Sequence, residues 1–237
     1  MTGTLYLVGV GPGDPELLTI KAVRCLGAVS VIAYPSSDDG AALALDIAGG
    51  YLNPGALRLP CAIPMKRARS PGQVAYDAAA AAILDHLGAG RDVAWLCEGD
   101  PLFYGSAMYL VGRIAAAAQV VVIPGVTSLT AAAAAIGRPL AARNETLKVL
   151  PAPLEDEALR AELAVAPAVA IIKVGRHFDR IRTLLVETGH AEGAMVVEHA
   201  TTGRQRITPL LAFGHAERPY FSTILCYRGT EAWSVAS

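Results

Sequence analysis

Two carboxylates, a glycine and a proline stand together in the segment Glu98-Gly99-Asp100-Pro101, directly after the apolar run Val93–Cys97. The run predicts a short buried strand, and loops at the carboxyl ends of strands in α/β sheets are where ligands bind. Gly99 would let the backbone approach a ligand closely, while Pro101 restricts the turn. The segment therefore indicates a binding site, with an ordinary strand-to-helix connection as the alternative.

A second glycine-rich turn follows the apolar residues 5–8 and reads Gly9-Val10-Gly11-Pro12-Gly13-Asp14-Pro15. Its spacing is similar to a dinucleotide-binding fingerprint, but Asp14 stands where the third glycine belongs. Pro12 also lacks an N–H group that a pyrophosphate would need. The turn therefore disfavours a diphosphate cofactor. Asp14 is predicted to cap a helix that begins with Pro15 and continues over residues 16–22.

A third turn, Pro124-Gly125-Val126-Thr127-Ser128, separates a predicted strand over residues 120–123 from a small-residue helix over 129–136. By itself, Thr127 or Ser128 would be interpreted as a helix cap. Three such turns in one domain favour a shared pocket, because the carboxyl ends of parallel strands lie at one edge of a sheet.

With these three motifs, the sequence resembles the tetrapyrrole (uroporphyrin-III C/precorrin) methylases, which use S-adenosylmethionine. The order and spacing of the motifs agree with the family, and the resemblance runs the whole length of the chain. Within the family, residues 97–106 are most similar to the enzymes that methylate carbon 20 of precorrin-2. The resemblance therefore implies an S-adenosylmethionine-dependent C-methyltransferase of cobalamin biosynthesis that forms precorrin-3A.

The resemblance also implies which residues contact the cofactor: Pro12, Glu98, Gly99, Asp100, Phe103, Thr127 and Ser128, with Val174 and Ala200 at matching strand ends later in the chain. The last two depart from the family's residue types, a change that main-chain contacts would tolerate. Two roles are open for Asp100. Its charge would favour a nearby sulfonium, or its oxygens could accept N–H groups of its own turn.

The implied acceptor carries acetate and propionate groups, so we expect basic side chains to bind it. The candidates are Lys66, Arg67, Arg69, Arg138, Arg143 and Arg176. A solvated basic loop is the alternative for residues 66–69. Methyl transfer to an electron-rich ring carbon asks mainly for positioning and exclusion of water. Several groups could take the departing proton, and no catalytic base is assigned among Glu98, Tyr104, His177 and His199.

Composition is that of a compact protein: 237 residues, 53% hydrophobic, mean hydropathy +0.41 and formal net charge -1. The near-neutral charge argues against a nucleic-acid partner. No apolar stretch has the roughly 20 residues needed to cross a bilayer, and Met1-Thr2-Gly3 leads directly into the first strand, so we expect a cytoplasmic protein. Scattered cysteines at 25, 61, 97 and 226 predict neither a metal site nor disulfides.

The predicted fold class is α/β with two domains, at residues 1–124 and 125–237, the boundary lying within about 124–145. The first should be a doubly wound, mainly parallel sheet, because strands at 5–8, 29–34, 57–59, 93–97 and 120–123 are nearly continuous apolar runs that alternate with helices such as 74–87. The second should be smaller, with strands at 146–151, 169–174, 194–198, 206–209 and 221–227 and helices at 159–163 and 177–186. Its closely spaced strands favour a mixed sheet.

The resemblance implies that the cofactor lies in the cleft between these domains and that the chain forms a homodimer. Two other functions are open. One is a relative that methylates another ring carbon or a cobalt-containing precorrin. The other is a metabolite-binding module without turnover.

Overall fold

The computed structural model describes residues 2–37, 40–63, 69–214 and 221–228, except for the side chains of residues 69–71. The chain divides into two compact units, Met1–Thr127 and Ser128–Ser237, each with one five-stranded sheet. We propose these units as the two domains.

Five parallel strands form the sheet of the first unit: β1 (Leu5–Gly9), β2 (Val31–Ser36), β3 (Leu57–Ala62), β4 (Val93–Cys97) and β5 (Val120–Ile123). Their order is β3-β2-β4-β1-β5. Parallel strands that are buried on both faces are built from continuous apolar runs, which is the pattern that the sequence shows.

Helices cover both faces of this sheet, as expected for a doubly wound domain. One face packs against α1 (Ile20–Ala28) and α2 (Leu43–Ala48), the other against α3 (Arg69–Gly88) and α4 (Met108–Ile114). Within β4, Trp95 belongs to the cluster of Ile83 and Ile114, while Leu96 packs with Leu26 on the opposite face. This alternation follows from the two-residue period of a strand.

The predicted start of the helix over residues 16–22 is wrong, because α1 begins at Ile20. Asp14 Oδ1 does accept a hydrogen bond from Glu16 N at 2.8 Å, but the capped element is a single 3₁₀ turn, Pro15–Leu17. The chain is then extended at Leu18, and Thr19 Oγ1 accepts a hydrogen bond from Ala22 N at 3.1 Å. This second cap begins α1.

The second unit has a mixed sheet, as predicted, with the order β6-β7-β10-β8-β9. The strands are β6 (Leu147–Pro151), β7 (Ala168–Ile172), β8 (Met195–Glu198), β9 (Arg206–Pro209) and β10 (Ser222–Tyr227). Only β6 and β7 pair in parallel among the described strands of this sheet. Because β10 runs antiparallel to both β7 and β8, the carboxyl ends of β6, β7 and β8 lie at one edge.

Three helices cover the second sheet: α5 (Ser128–Ala135) on one face, α6 (Asp156–Ala164) and α7 (Phe178–Glu187) on the other. The strand predicted over 169–174 ends earlier, at Ile172, because Lys173 adopts a left-handed backbone with φ 57°. The helix predicted from residue 177 begins one residue later, after the 3₁₀ turn Gly175–His177.

Cysteines behave as core residues in both units. Cys61, Cys97 and Cys226 are buried. Burial raises the pKa of the Cys61 thiol to about 11 and that of Cys226 to about 12. Thiols held in the protonated form are poor nucleophiles.

A separate property concerns membranes. Across the described ranges, none of the helices combines the length and the apolar character that a bilayer crossing requires.

Candidate functional site

The turns after β1, β4 and β5 meet as bare backbone at the carboxyl edge of the first sheet. A Cβ atom added to Gly9 would lie 2.6 Å from the Gly125 nitrogen and 2.7 Å from the Gly99 carbonyl oxygen. A Cβ on Gly125 would lie 2.1 Å from the same Gly99 oxygen. No side chain fits at Gly9 or Gly125 without movement of the backbone, and so the three motifs found in the sequence lie in direct contact.

Backbone hydrogen bonds join the first two turns across the sheet edge. Gly99 N donates to Gly11 O at 2.8 Å, and Gly11 N donates to Gly99 O at 3.3 Å. Both residues have positive φ, 64° and 82°, which favours glycine. After β1 the chain leads to α1 on one face, and after β4 to α4 on the other. In open α/β sheets, ligands bind where neighbouring strands diverge in this way.

Asp100 ties the second turn to the third. Its Oδ1 accepts a hydrogen bond from Leu102 N at 2.9 Å, and its Oδ2 accepts one from Gly125 N at 3.0 Å. Asp100 therefore has the structural role that the sequence left open, because its oxygens accept N–H groups of its own turn and also of the β5 turn. Because each carboxylate oxygen has two lone pairs, these bonds leave acceptor capacity for a ligand.

Glu98 is the other carboxylate of this turn and is partly buried. Burial raises the pKa of its carboxyl group, because a low-dielectric surrounding disfavours the charged form. A cation placed next to Glu98 would oppose this effect and stabilise the ionised form. The position is thus electrostatically suited to a positively charged ligand.

The other residues predicted to contact the cofactor in the first unit also lie in these turns. Pro12 and Thr127 are half-buried in the β1 and β5 turns, and Phe103 is at the surface of the β4 turn. Ser128 is exposed and is the first residue of α5, so a capping position for Thr127 agrees with the helix boundary. Ligand contact by each of them stays a prediction.

In the second unit, Val174 and Ala200 follow β7 and β8 at the same sheet edge. Val174 is fully buried, and its carbonyl accepts a hydrogen bond from His177 N at 2.7 Å. Ala200 is half-buried against the cluster that includes Leu129 and Val197. The side chain of Val174 is therefore withdrawn from solvent, and only its backbone is suited to a ligand.

Three non-glycine residues beside Val174 and Ala200 have left-handed backbones: Lys173 (φ 57°), His199 (φ 46°) and Thr201 (φ 67°). Such conformations cost on the order of 1–3 kcal/mol each and cluster at functional sites. Sequence reasoning did not find this feature, since a residue type other than glycine gives no signal of positive φ. The strain marks this edge as a second candidate site.

The basic residues predicted to bind the acceptor have different outcomes. Lys66 and Arg67 lie outside the described residues, and so does the side chain of Arg69. Arg143 is exposed in a turn with φ 46°, and Arg176 is exposed in the 3₁₀ turn after β7.

Arg138 makes packing contacts, and its binding of the acceptor stays a prediction. Its Nη1 donates to Gly193 O at 2.9 Å and its Nη2 to Leu225 O at 3.2 Å. The guanidinium also lies 5.7 Å from the centre of the Tyr227 ring. These contacts hold the turn before β8 against β10. Burial lowers the pKa of Arg138, so this cation has already lost part of its hydration.

Metal ligands are a separate question. Within the described ranges, no three His, Cys, Asp or Glu residues are grouped so that they could hold a metal ion.

Comparison with known proteins identifies the family. Residues 4–212 match the family model described as Tetrapyrrole (Corrin/Porphyrin) Methylases. The chain is 39% identical over 94% of its length, and 94% of the relative's, to a Precorrin-2 C(20)-methyltransferase of a Sinorhizobium species. It is 31% identical to a Cobalt-precorrin-2 C(20)-methyltransferase of Salmonella typhimurium, over 95% of this chain and 96% of that one.

A longer relative contains a region similar to nearly the whole of this chain. The cobalamin biosynthesis protein CobIJ of Mycobacterium tuberculosis is 42% identical over 93% of this chain, which spans 45% of that protein's length.

Solved structures share the fold. A cobalt precorrin-4 methyltransferase, CbiF, has a TM-score of 0.75 at 25% identity, over 94% of both chains. A uroporphyrin-III C-methyltransferase from Thermus thermophilus, complexed with S-adenosyl homocysteine, has a TM-score of 0.67 at 25% identity, over 95% of this chain and 97% of that one.

The chain has two α/β units, and the first has glycine-rich turns at the carboxyl edge of a parallel sheet. This arrangement is typical of the class of α/β enzymes that bind a ligand at strand ends. The chain belongs to the tetrapyrrole (corrin/porphyrin) methylases. The resemblance stated from the three motifs is thereby confirmed, and two relatives that match over nearly the whole chain are methyltransferases. The family uses S-adenosylmethionine as its methyl donor.

The backbone contact between the turns predicts a large effect for one added methyl group. Gly125→Ala should lower the free energy of unfolding by about 1–3 kcal/mol or more, because its Cβ overlaps the Gly99 carbonyl. Gly112→Ala is the matched control. Gly112 lies within α4 with nothing within 4 Å of an added Cβ, so the control should gain roughly 0.5–1 kcal/mol. Urea denaturation measures both, and equal stability of the two variants would contradict the close approach.

The raised pKa of Glu98 predicts a pH-dependent stability. The folded state holds this proton more tightly than the unfolded chain does, so the stabilisation is complete below the unfolded pKa and is lost as pH rises through the folded value. Glu98→Gln cannot ionise, and its free energy of unfolding relative to the wild type should therefore increase as the pH rises above the ordinary glutamate pKa of about 4.3. Urea titrations across this range test the effect, with Glu192→Gln, an exposed glutamate, as the control. A difference that does not change with pH would disprove burial of the charge.

Proposed function

We propose that this protein transfers a methyl group from S-adenosylmethionine to carbon 20 of precorrin-2 and forms precorrin-3A. The observation that carries the proposal is the 39% identity with the Sinorhizobium precorrin-2 C(20)-methyltransferase, which extends over 94% of both chains. The lower identity, 31%, with the cobalt-precorrin-2 enzyme favours the metal-free acceptor.

The first unit supplies the chemistry for the methyl donor. S-adenosylmethionine carries its methyl group on a positively charged sulfonium. Glu98 and Asp100 lie in the β4 turn, whose backbone contacts the turns that follow β1 and β5. A carboxylate near the sulfonium is favourable in a low-dielectric site. We place the donor on Pro12, Glu98, Gly99, Asp100, Phe103 and Thr127, with Ser128, Val174 and Ala200 as further contacts. The Thermus relative that holds S-adenosyl homocysteine supports this cofactor.

The second unit supplies basic groups for a polyanionic acceptor. Lys173 and Arg176 follow β7, and His199 follows β8, so that three basic residues lie near one sheet edge. Arginine is suited to carboxylates because its planar fork binds them in pairs of hydrogen bonds. We therefore propose Arg176 and Arg143 as partners of the acceptor's acetate and propionate groups, together with Lys66, Arg67 and Arg69.

The proposed reaction asks little acid–base chemistry of the protein. The electron-rich carbon 20 attacks the methyl group, the bond from methyl carbon to sulfur breaks, S-adenosylhomocysteine leaves, and carbon 20 then loses its proton. The protein contributes alignment of the two reactants and exclusion of water. The homodimer implied by the resemblance stays a prediction.

Ligand-induced stabilisation tests the cofactor. S-adenosylmethionine at about 100 times its Kd should raise the Tm by roughly 5–10 °C, because a ligand of the folded state stabilises it by mass action. NAD should cause no shift, since Asp14 and Pro12 replace groups that a pyrophosphate needs. Thermal denaturation with each ligand decides the matter. Equal stabilisation by NAD would contradict the interpretation of the β1 turn.

The site of methylation tests the acceptor. With S-adenosylmethionine labelled by ¹³C in its methyl group, metal-free precorrin-2 should give one labelled product whose new methyl lies on carbon 20 by NMR. Cobalt-loaded precorrin-2 should react more slowly. A methyl on another ring carbon would assign the chain to a different reaction of the family. Tight cofactor binding with no transfer to any tetrapyrrole would indicate a metabolite-binding module.

A further inference from the structure

Tyr104 has a left-handed backbone, with φ 54°, in the turn that follows β4. This turn is narrow, because a Cβ on Gly105 would lie 2.6 Å from the Pro101 carbonyl oxygen. Glycine or asparagine adopts positive φ with less strain than a bulky aromatic residue. The geometry of the turn therefore does not account for a tyrosine at position 104, and the role of its side chain is a separate question.

The Tyr104 ring lies at the surface beside a second aromatic ring. Tyr104 is 43% exposed and Phe103 is 36% exposed. Their ring centres are 5.1 Å apart and the planes meet at 83°, an edge-to-face pair. With Leu102, 57% exposed, they place three consecutive large apolar side chains directly after the Gly99–Asp100 turn. Exposed apolar groups concentrated at one place are typical of binding surfaces.

The position of this aromatic pair relative to the glycine contact is fixed. Asp100 accepts hydrogen bonds from Leu102 N at 2.9 Å and from Gly125 N at 3.0 Å. One carboxylate thus binds the start of the aromatic segment and the β5 turn together. An exposed aromatic pair next to a backbone site is suited to a second, larger and mainly apolar ligand.

We propose that the Tyr104 ring packs against the macrocycle of the tetrapyrrole acceptor and is an acceptor-binding residue of the reaction proposed above, on which this inference rests. A tetrapyrrole is apolar across its ring system and carries its charges at the periphery, so an aromatic surface complements its centre as basic groups complement its edge. The ring of Tyr104 provides this contact, and its hydroxyl group is not part of it.

Three variants distinguish the effect of the Tyr104 ring on binding from the effect of its backbone conformation and from that of losing any exposed tyrosine. Tyr104→Phe keeps the ring. Tyr104→Asn removes it with a residue that tolerates positive φ. Tyr51→Asn is the control, since Tyr51 has a similar exposure of 38% but lies in the 3₁₀ turn Gly49–Tyr51 after α2. For each variant we would measure the Kd of precorrin-2 with S-adenosylhomocysteine present, the Kd of S-adenosylhomocysteine by calorimetry, and the Tm.

Tyr104→Asn should weaken precorrin-2 binding roughly three- to tenfold, with little change in S-adenosylhomocysteine affinity or Tm. Tyr104→Phe and Tyr51→Asn should match the wild type. Unchanged precorrin-2 affinity in Tyr104→Asn would disprove the inference alone. Loss of S-adenosylhomocysteine affinity with unchanged precorrin-2 affinity would disprove it, because the ring would then serve the cofactor, directly or through Phe103. A wild-type enzyme that binds uroporphyrinogen III but not precorrin-2 would overturn the proposed acceptor, and the same variants then test Tyr104 with uroporphyrinogen III.

Discussion

The contact between the backbones of Gly9, Gly99 and Gly125 is the constraint on which the first unit's site depends. Three adjacent parallel strands end here, and their turns approach more closely than any Cβ atom permits at Gly9 or Gly125. Backbone groups at such a meeting need partners, which the bonds between Gly11 and Gly99 and the Asp100 carboxylate provide. The side chains at the rim, such as Pro12 and Phe103, take their positions from this contact.

The two units present different chemistry at the carboxyl edges of their sheets. The first has two carboxylates, of which Asp100 is held by two N–H groups and Glu98 has a pKa raised by burial. The second has Lys173, Arg176 and His199 in or beside backbone segments of positive φ, with the buried Glu198 at the end of β8. In the proposed function, the cationic methyl donor lies at the first edge and the polyanionic acceptor at the second.

Strain and glycine content differ between the edges in an informative way. In the first unit, glycine supplies the left-handed conformations at positions 11 and 99, where it adopts them without strain. In the second, Lys173, His199 and Thr201 adopt the same region with side chains present, and Tyr104 does so at the end of the first unit's β4 turn. Backbone strain of this kind clusters at functional sites, which makes these four side chains candidates for ligand contact.

The sequence by itself determined the fold class, the three turns and the family, because apolar runs and Gly-Pro segments are local signals. Only the tertiary structure decided what each turn contacts. Asp100 accepts a hydrogen bond from a backbone nitrogen 25 residues away in the sequence, and Arg138 donates one to a carbonyl 87 residues away. Residue types carry no information about pairing over such sequence separations. The start of α1 was misplaced because Asp14 and Thr19 are both local caps, and only the folded chain shows that Asp14 caps a single 3₁₀ turn while Thr19 begins the helix. Likewise, a lysine carries no local signal of the positive φ that the folded chain has at Lys173.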